Sequence, residues 1–290
     1  MQVKYNGMRA TWLIILLTSV AIICGSMLAT FTKDPNSGLS MLMSQSLMIV
    51  PLVVGIITVK HTSAYVNLKE DLGFNGFNPV LMLLLLILPG ATSVFSSVVQ
   101  LPVTEILVKI FGPQTNISCP ETVESFIWLF LSLCVVAPVF EEIIFRGIAM
   151  SLLMPYGTLV SVIVSAFGFS MLHFAPVVFI AIFVVGIVLG FVRVYTNSVY
   201  SCILFHSVFN FLSLMQIVFE KELEGMFFET VICAFIMLCL FPILFFILYK
   251  TSKFKKLQRG YVKWGGNGII PMLLMIVVYS IVALLTAFVI

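Results

Sequence analysis

Nine apolar runs follow one another along the 290-residue chain, at 11–31, 39–59, 79–101, 126–154, 158–174, 176–195, 199–219, 226–249 and 269–290. Most come close to the 20 or so residues that a helix needs to cross a hydrocarbon core of about 30 Å. The breaks between them carry Pro, Gly, Asn or charge, the residues on which helices end. Asp34-Pro35-Asn36-Ser37-Gly38 and Gly112-Pro113 are the plainest of these. The expected fold class is all-α: a polytopic membrane helix bundle of eight to nine transmembrane helices, forming a single integral-membrane domain over 1–290. Segment 105–111 is expected to lie along the membrane interface. Neither an internal repeat nor a low-complexity tract interrupts the pattern.

Composition narrows the solvent. Hydrophobic residues make up 61% of the chain and charged residues 9%, where a soluble domain carries about 25% charge. The mean hydropathy of +1.18 agrees. This excludes a water-soluble domain and makes the lipid bilayer the first partner. The net charge of +3 is unevenly spread: Lys250, Lys253, Lys255, Lys256, Arg259 and Lys263 form one basic loop between two apolar runs. Its position favours a cytoplasmic loop over a nucleic-acid contact, and no nucleic-acid partner is expected. With a cytoplasmic N-terminus and nine spans, that loop together with Lys4, Arg9, Lys60, Lys69 and Arg193 lies inside, and Lys33, Lys109 and Lys221 lie outside. Such a bias obeys the positive-inside rule. Five of the six cysteines fall in apolar runs, and no CxxC or His/Cys cluster suggests a disulfide framework or a zinc knuckle. The first run ends on Phe31-Thr32-Lys33 without a small-residue cleavage site, so it reads as a retained helix.

A few ionisable residues stand inside these runs. Each costs at least about 2.5 kcal/mol in lipid and usually marks function. The fourth run holds Glu141, Glu142 and Arg146, the fifth holds His173, and the seventh holds His206 and Asn210; His61 falls in a loop. Glu142 and Arg146 are four apart, share a helix face and form the natural ion pair. Glu141 is turned by about 100° from Glu142 and is the freer carboxylate. His206 and Asn210, also four apart, project to one side of their helix. With Pro155-Tyr156-Gly157 as a tight connection between antiparallel spans, Glu141 and His173 come within about 3 Å of the same depth.

Such a site suits water activation. A desolvated glutamate serves as a general base and a neighbouring histidine passes the proton on. A second histidine with an asparagine donates to the oxyanion of a tetrahedral intermediate. Together these steps describe amide hydrolysis. Structural readings stand beside these roles. Glu142 with Arg146 fits a supporting pair better than a catalytic one. A histidine within a span also forms helix–helix hydrogen bonds, and for His206 with Asn210 the residues leave both readings open.

Glu141-Glu142-x-x-x-Arg146, Phe169-x-x-x-His173 and His206-x-x-x-Asn210, in this order on three apolar segments, resemble the signature motifs of the CAAX-protease and bacteriocin-processing family of intramembrane endopeptidases. The resemblance covers 126–214, the motif-bearing core. It implies a helical membrane fold with a cavity between these segments. Glu141 would activate water with help from His173, His206 and Asn210 would form the oxyanion site, Glu142 and Arg146 would support the architecture, and Phe169 would pack beside them. Members have been described as metalloproteases, and one Glu with two His is a conceivable zinc set, although the His-Glu-x-x-His spacing of zincins is missing. The expectation is no cofactor, with zinc as the alternative.

The resulting expectation is an intramembrane endopeptidase of a bacterial plasma membrane, N-terminus cytoplasmic, acting on a peptide precursor or a membrane protein. The alternatives are a non-catalytic scaffold or bacteriocin self-immunity protein, and a transporter with a Glu/His proton relay. A transporter calls for inverted repeats and broken helices, which the sequence lacks. Oligomeric state is not legible.

Overall fold

The structure, a computed structural model, describes residues 6–29, 38–62, 68–78, 80–113, 117–251, 260, 262 and 268–289. The polar break at 32–37 and most of the basic loop, from Lys253 to Lys263, lie outside the described residues. Every regular element among those described is helical. We number the longer ones α1 (Gly7–Ala29), α2 (Gly38–Ser46), α3 (Ile49–Thr62), α4 (Val80–Phe111), α5 (Val123–Tyr156), α6 (Thr158–Met171), α7 (Phe179–Thr196), α8 (Val199–Val218), α9 (Phe227–Thr251) and α10 (Ile269–Val289).

Among the described residues, seven helical segments are long and apolar enough to cross a membrane: Gly7–Met27, Leu39–His61, Leu81–Phe111, Val123–Tyr156, Pro176–Thr196, Val199–Val218 and Phe227–Thr251. The other two apolar runs are helical but shorter, at Thr158–Met171 and Ile269–Ala283. Large apolar side chains such as Leu83, Phe235 and Ile270 cover the outside, as lipid contact requires. The chain is an integral membrane protein of helical architecture.

Three departures from the expected spans have local causes. The second run is divided at Leu47-Met48 into α2 and α3. Pro51 cannot donate to the Leu47 carbonyl, and a proline ring collides with the carbonyl four residues back. Leu47 O accepts instead from Val50 N–H at 3.1 Å. Segment 105–111, expected at the interface, continues α4 without a break, making a helix of 32 residues. At 1.5 Å per residue it is about 48 Å long and outreaches the hydrocarbon core. α6 is the opposite case. Its 14 residues span about 21 Å, less than the hydrocarbon thickness. Pro176 pushes Ala175 out of the helical region, to φ −119° and ψ 83°, and the chain turns back within the bundle. Non-helical backbone at this depth is tolerated where protein or a cavity surrounds it.

α6 and α7 pack antiparallel along a stripe of small residues. A Cβ at Gly186 would come 3.0 Å from Ala166 Cα, and one at Gly190 would come 2.9 Å from Val162. Gly186-x-x-x-Gly190 is the small-residue spacing that lets membrane helices approach backbone to backbone. One apolar cluster joins α1, α5, α6 and α10 through Trp12, Ile15, Phe145, Ile148, Phe169 and Met275. A second joins α4, α7, α8 and α9 through Leu85, Leu88, Leu189, Phe205 and Leu248. Among the buried polar residues, Arg146 lies against Phe169 of the first cluster and His206 follows Phe205 of the second.

Candidate active site

The site begins with a helix that changes pitch. α5 is α-helical over Ala137–Glu142 and π-helical on both sides, over Leu131–Val136 and Ile143–Ala149. Ala137 N–H donates to Ser132 O and Met150 N–H to Phe145 O, each five residues back. Such wide turns are rare and favour functional sites. Pro138 explains the first of them. It has no N–H to offer, so the carbonyl five residues before it, Leu133 O, is left without its π-helical donor. The Asn210 side chain from α8 supplies one: Nδ2 donates to Leu133 O at 2.8 Å.

Glu142 and Arg146 are both fully buried and form an ion pair of 2.9 Å. The same carboxylate oxygen, Glu142 Oε1, accepts from His206 Nδ1 at 2.9 Å. Arg146 also donates to Gly186 O on α7 at 3.1 Å and lies 4.5 Å above the centre of the Phe169 ring. The pair therefore ties α5 to α6, α7 and α8. A histidine whose Nδ1 carries the proton for a carboxylate presents Nε2 on its other side. That nitrogen lies 3.9 Å from Glu141 Oε2.

Glu141 and His173 line one cavity of about 160 Å³, together with Ile22, Ser44, Gln45, Met48 and Leu172. His173 sits where α6 unwinds: its N–H reaches only to Ser170 O, and Phe174 after it has φ 47°, a left-handed conformation unusual for an aromatic residue. His173 Nδ1 lies 3.0 Å from Phe169 O, which leaves Nε2 for the cavity. The Phe169 ring meets both imidazoles edge to face, with centroids 4.9 Å from His173 and 5.7 Å from His206.

The structure thus gathers Glu141, Glu142, Arg146, Phe169, His173 and His206 at one locus. Asn210 stands one turn along α8 from His206 and is bound to α5. The sequence reading did not find Gln45, which lines the cavity from α2. Its signal was present, since a carboxamide inside an apolar run is expensive unless paired. The sequence reading also counted Arg193 only as a cytoplasmic-side cation and gave it no role within the bundle. Arg193 is buried, donating to Arg146 O at 3.2 Å, Asn197 Oδ1 at 2.8 Å and Asp71 O at 3.4 Å. Its guanidinium fills the place that a Cβ on Gly73 would take, at a glycine with φ 77°. Five donors suit it to carbonyls that a helix end and a π turn leave open. Among the described residues, no group of three or more His, Cys, Asp or Glu side chains is placed to hold a metal ion.

Fold and site together define a class, that of helical integral membrane proteins with acid and imidazole side chains drawn together inside the bundle. Within that class, residues 123–212 match the family model of the type II CAAX prenyl endopeptidase Rce1-like proteins. The match contains all three motifs and agrees with the resemblance they suggested. No curated protein and no solved structure matches the chain.

Proposed function

We propose that the protein is an intramembrane endopeptidase in which Glu141 deprotonates a water molecule for attack on a peptide carbonyl. The observation that carries this reading is the placement of Glu141 between two imidazoles: it shares a cavity with His173 and lies 3.9 Å from His206 Nε2. A cavity of about 160 Å³ has room for water and an amide group, since one liquid water occupies about 30 Å³.

In this mechanism Glu141 takes the water proton as hydroxide adds to the carbonyl carbon. His206, protonated and held through Nδ1 by Glu142, donates from Nε2 to the oxyanion, with the second amide hydrogen of Asn210 alongside. His173 then relays the proton from Glu141 to the leaving nitrogen as the C–N bond breaks. Glu142 and Arg146 hold the His206 ring in its orientation and do not touch the substrate. The reaction so drawn uses no metal. The family suggests a membrane-embedded protein or peptide as substrate, and the charge bias supports a cytoplasmic N-terminus.

Glu141→Gln is expected to abolish cleavage while leaving expression and thermal unfolding in detergent unchanged. Comparing the membrane and secreted peptides of wild-type and Glu141→Gln cells should reveal an uncut precursor in the variant. Identical peptide pools would remove the proposed function. Chelation with EDTA is expected to leave cleavage of that precursor within twofold of the untreated protein. Loss on chelation with recovery on adding zinc would transfer water activation to a metal.

A further inference from the structure

We propose that Gln45 is a substrate-binding residue of this site, its side-chain carbonyl oxygen accepting a hydrogen bond from a backbone N–H of the peptide beside the scissile bond. The proposal rests on the endopeptidase reading above and adds to it a group from outside the three motifs. Gln45 lies on α2, across the cavity from Glu141 on α5 and His173 at the end of α6. Its Oε1 is buried and finds no hydrogen-bond partner among the described residues. A buried acceptor left open costs about 1–3 kcal/mol, so an amide N–H arriving in the cavity gains more there than it would at a satisfied group.

The neighbouring polar groups are already committed. Ser44 Oγ donates to Met41 O at 2.7 Å, His173 Nδ1 is engaged with Phe169 O, and His206 Nδ1 with Glu142. Glu141 is reserved for water. A peptide entering at this depth brings N–H groups that lipid cannot satisfy, and Gln45 Oε1 is an unpaired acceptor on a residue that lines the same cavity as Glu141 and His173. The wall is also well held. Met48 N–H closes the turn onto Gln45 O at 3.0 Å. α1 approaches α2 so closely at Gly25 that a Cβ there would collide with the Ser44 carbonyl. A backbone held in this way presents the Gln45 side chain from a fixed position.

The test uses the full chain in lipid nanodiscs and, as probe, the precursor that accumulates in Glu141→Gln cells. Gln45→Met keeps the length of the side chain and removes the acceptor. It should raise KM about five- to tenfold, the size of one neutral hydrogen bond, with kcat within twofold. Two further probes carry an N-methyl group on the residue before or after the scissile bond. One of them should raise KM for the wild-type protein and lose that penalty in Gln45→Met. The N-methyl comparison on unmodified protein stands even if a variant fails to fold. Wild-type KM in Gln45→Met, or indifference to both N-methyl groups, overturns the assignment of Gln45 and leaves the endopeptidase reading intact. A kcat loss in Gln45→Met at unchanged KM would make the carboxamide an oxyanion donor and also overturns the acceptor role. If no precursor accumulates in Glu141→Gln cells, the endopeptidase reading fails and the role of Gln45 fails with it.

Discussion

Glu142 has two donors on one oxygen and none on the other among the described residues, and this asymmetry decides what Arg146 does. The guanidinium neutralises a carboxylate that has no access to water. Arg146→Ala leaves that charge with His206 alone, and breaking a buried pair on one side costs about 3–5 kcal/mol. The expected result is a large drop in folded yield and in the detergent unfolding temperature. Arg146→Lys should recover little, because an ammonium cannot reach Glu142 and Gly186 O while also stacking on Phe169. A Glu142→Met, Arg146→Met double variant should fold better than Arg146→Ala, since no charge is stranded. It should still cleave poorly, because His206 has lost the acceptor for its Nδ1 proton. Unchanged stability in Arg146→Ala would refute the supporting role. At this scale the i, i+4 spacing made the pair legible in the sequence. The third member was hidden: His206 meeting Glu142 depends on how α5 and α8 are rotated against each other, which spacing within one helix does not encode.

The bundle places its site with irregular helix rather than regular helix. Pro138 widens the turn before Glu141 and exposes Leu133 O, and Asn210 closes the gap. Asn210→Leu should therefore cost about 1–3 kcal/mol by leaving a buried carbonyl unpaired. The same substitution in a Pro138→Ala background should cost less, because an alanine N–H can return to the helical ladder. A double-mutant cycle on detergent unfolding measures this: a coupling of about 1 kcal/mol is expected, and strict additivity would break the link between the proline and the asparagine. Asn210 thus has a structural duty that its spacing from His206 does not reveal. A proline within a span was visible in the sequence, but the π turns on both sides of Glu141 were not, because their hydrogen bonds depend on what the neighbouring helices offer. The ends of α6 are a comparable case. Pro176 marked a boundary, yet the shortness of α6, which brings His173 to the depth of Glu141, follows from the chain turning back inside the bundle.

Across the whole molecule, hydrophobic run length recovered the helices because lipid leaves the backbone few alternatives. It failed to separate helices that satisfy a spanning length from those that fall short, since buried and lipid-facing segments are equally apolar. Orientation rests on charge, and one native side chain can test it. If the N-terminus is cytoplasmic, α1, the α2–α3 pair and α4 bring the connection between α4 and α5 to the outer face, and Cys119 lies in that connection, exposed. The other exposed thiols, Cys24, Cys233 and Cys239, lie on apolar helices, where a charged maleimide has no water in which to meet a thiolate. A membrane-impermeant maleimide should therefore label intact cells at one site and lose that label in Cys119→Ser. In a Cys119→Ser background, Lys69→Cys, on the turn between α3 and α4, should react only after the membrane is opened. The reverse pattern would invert the molecule in the bilayer, set its basic residues against the positive-inside rule, and move any peptide released at the Glu141 cavity toward the opposite compartment.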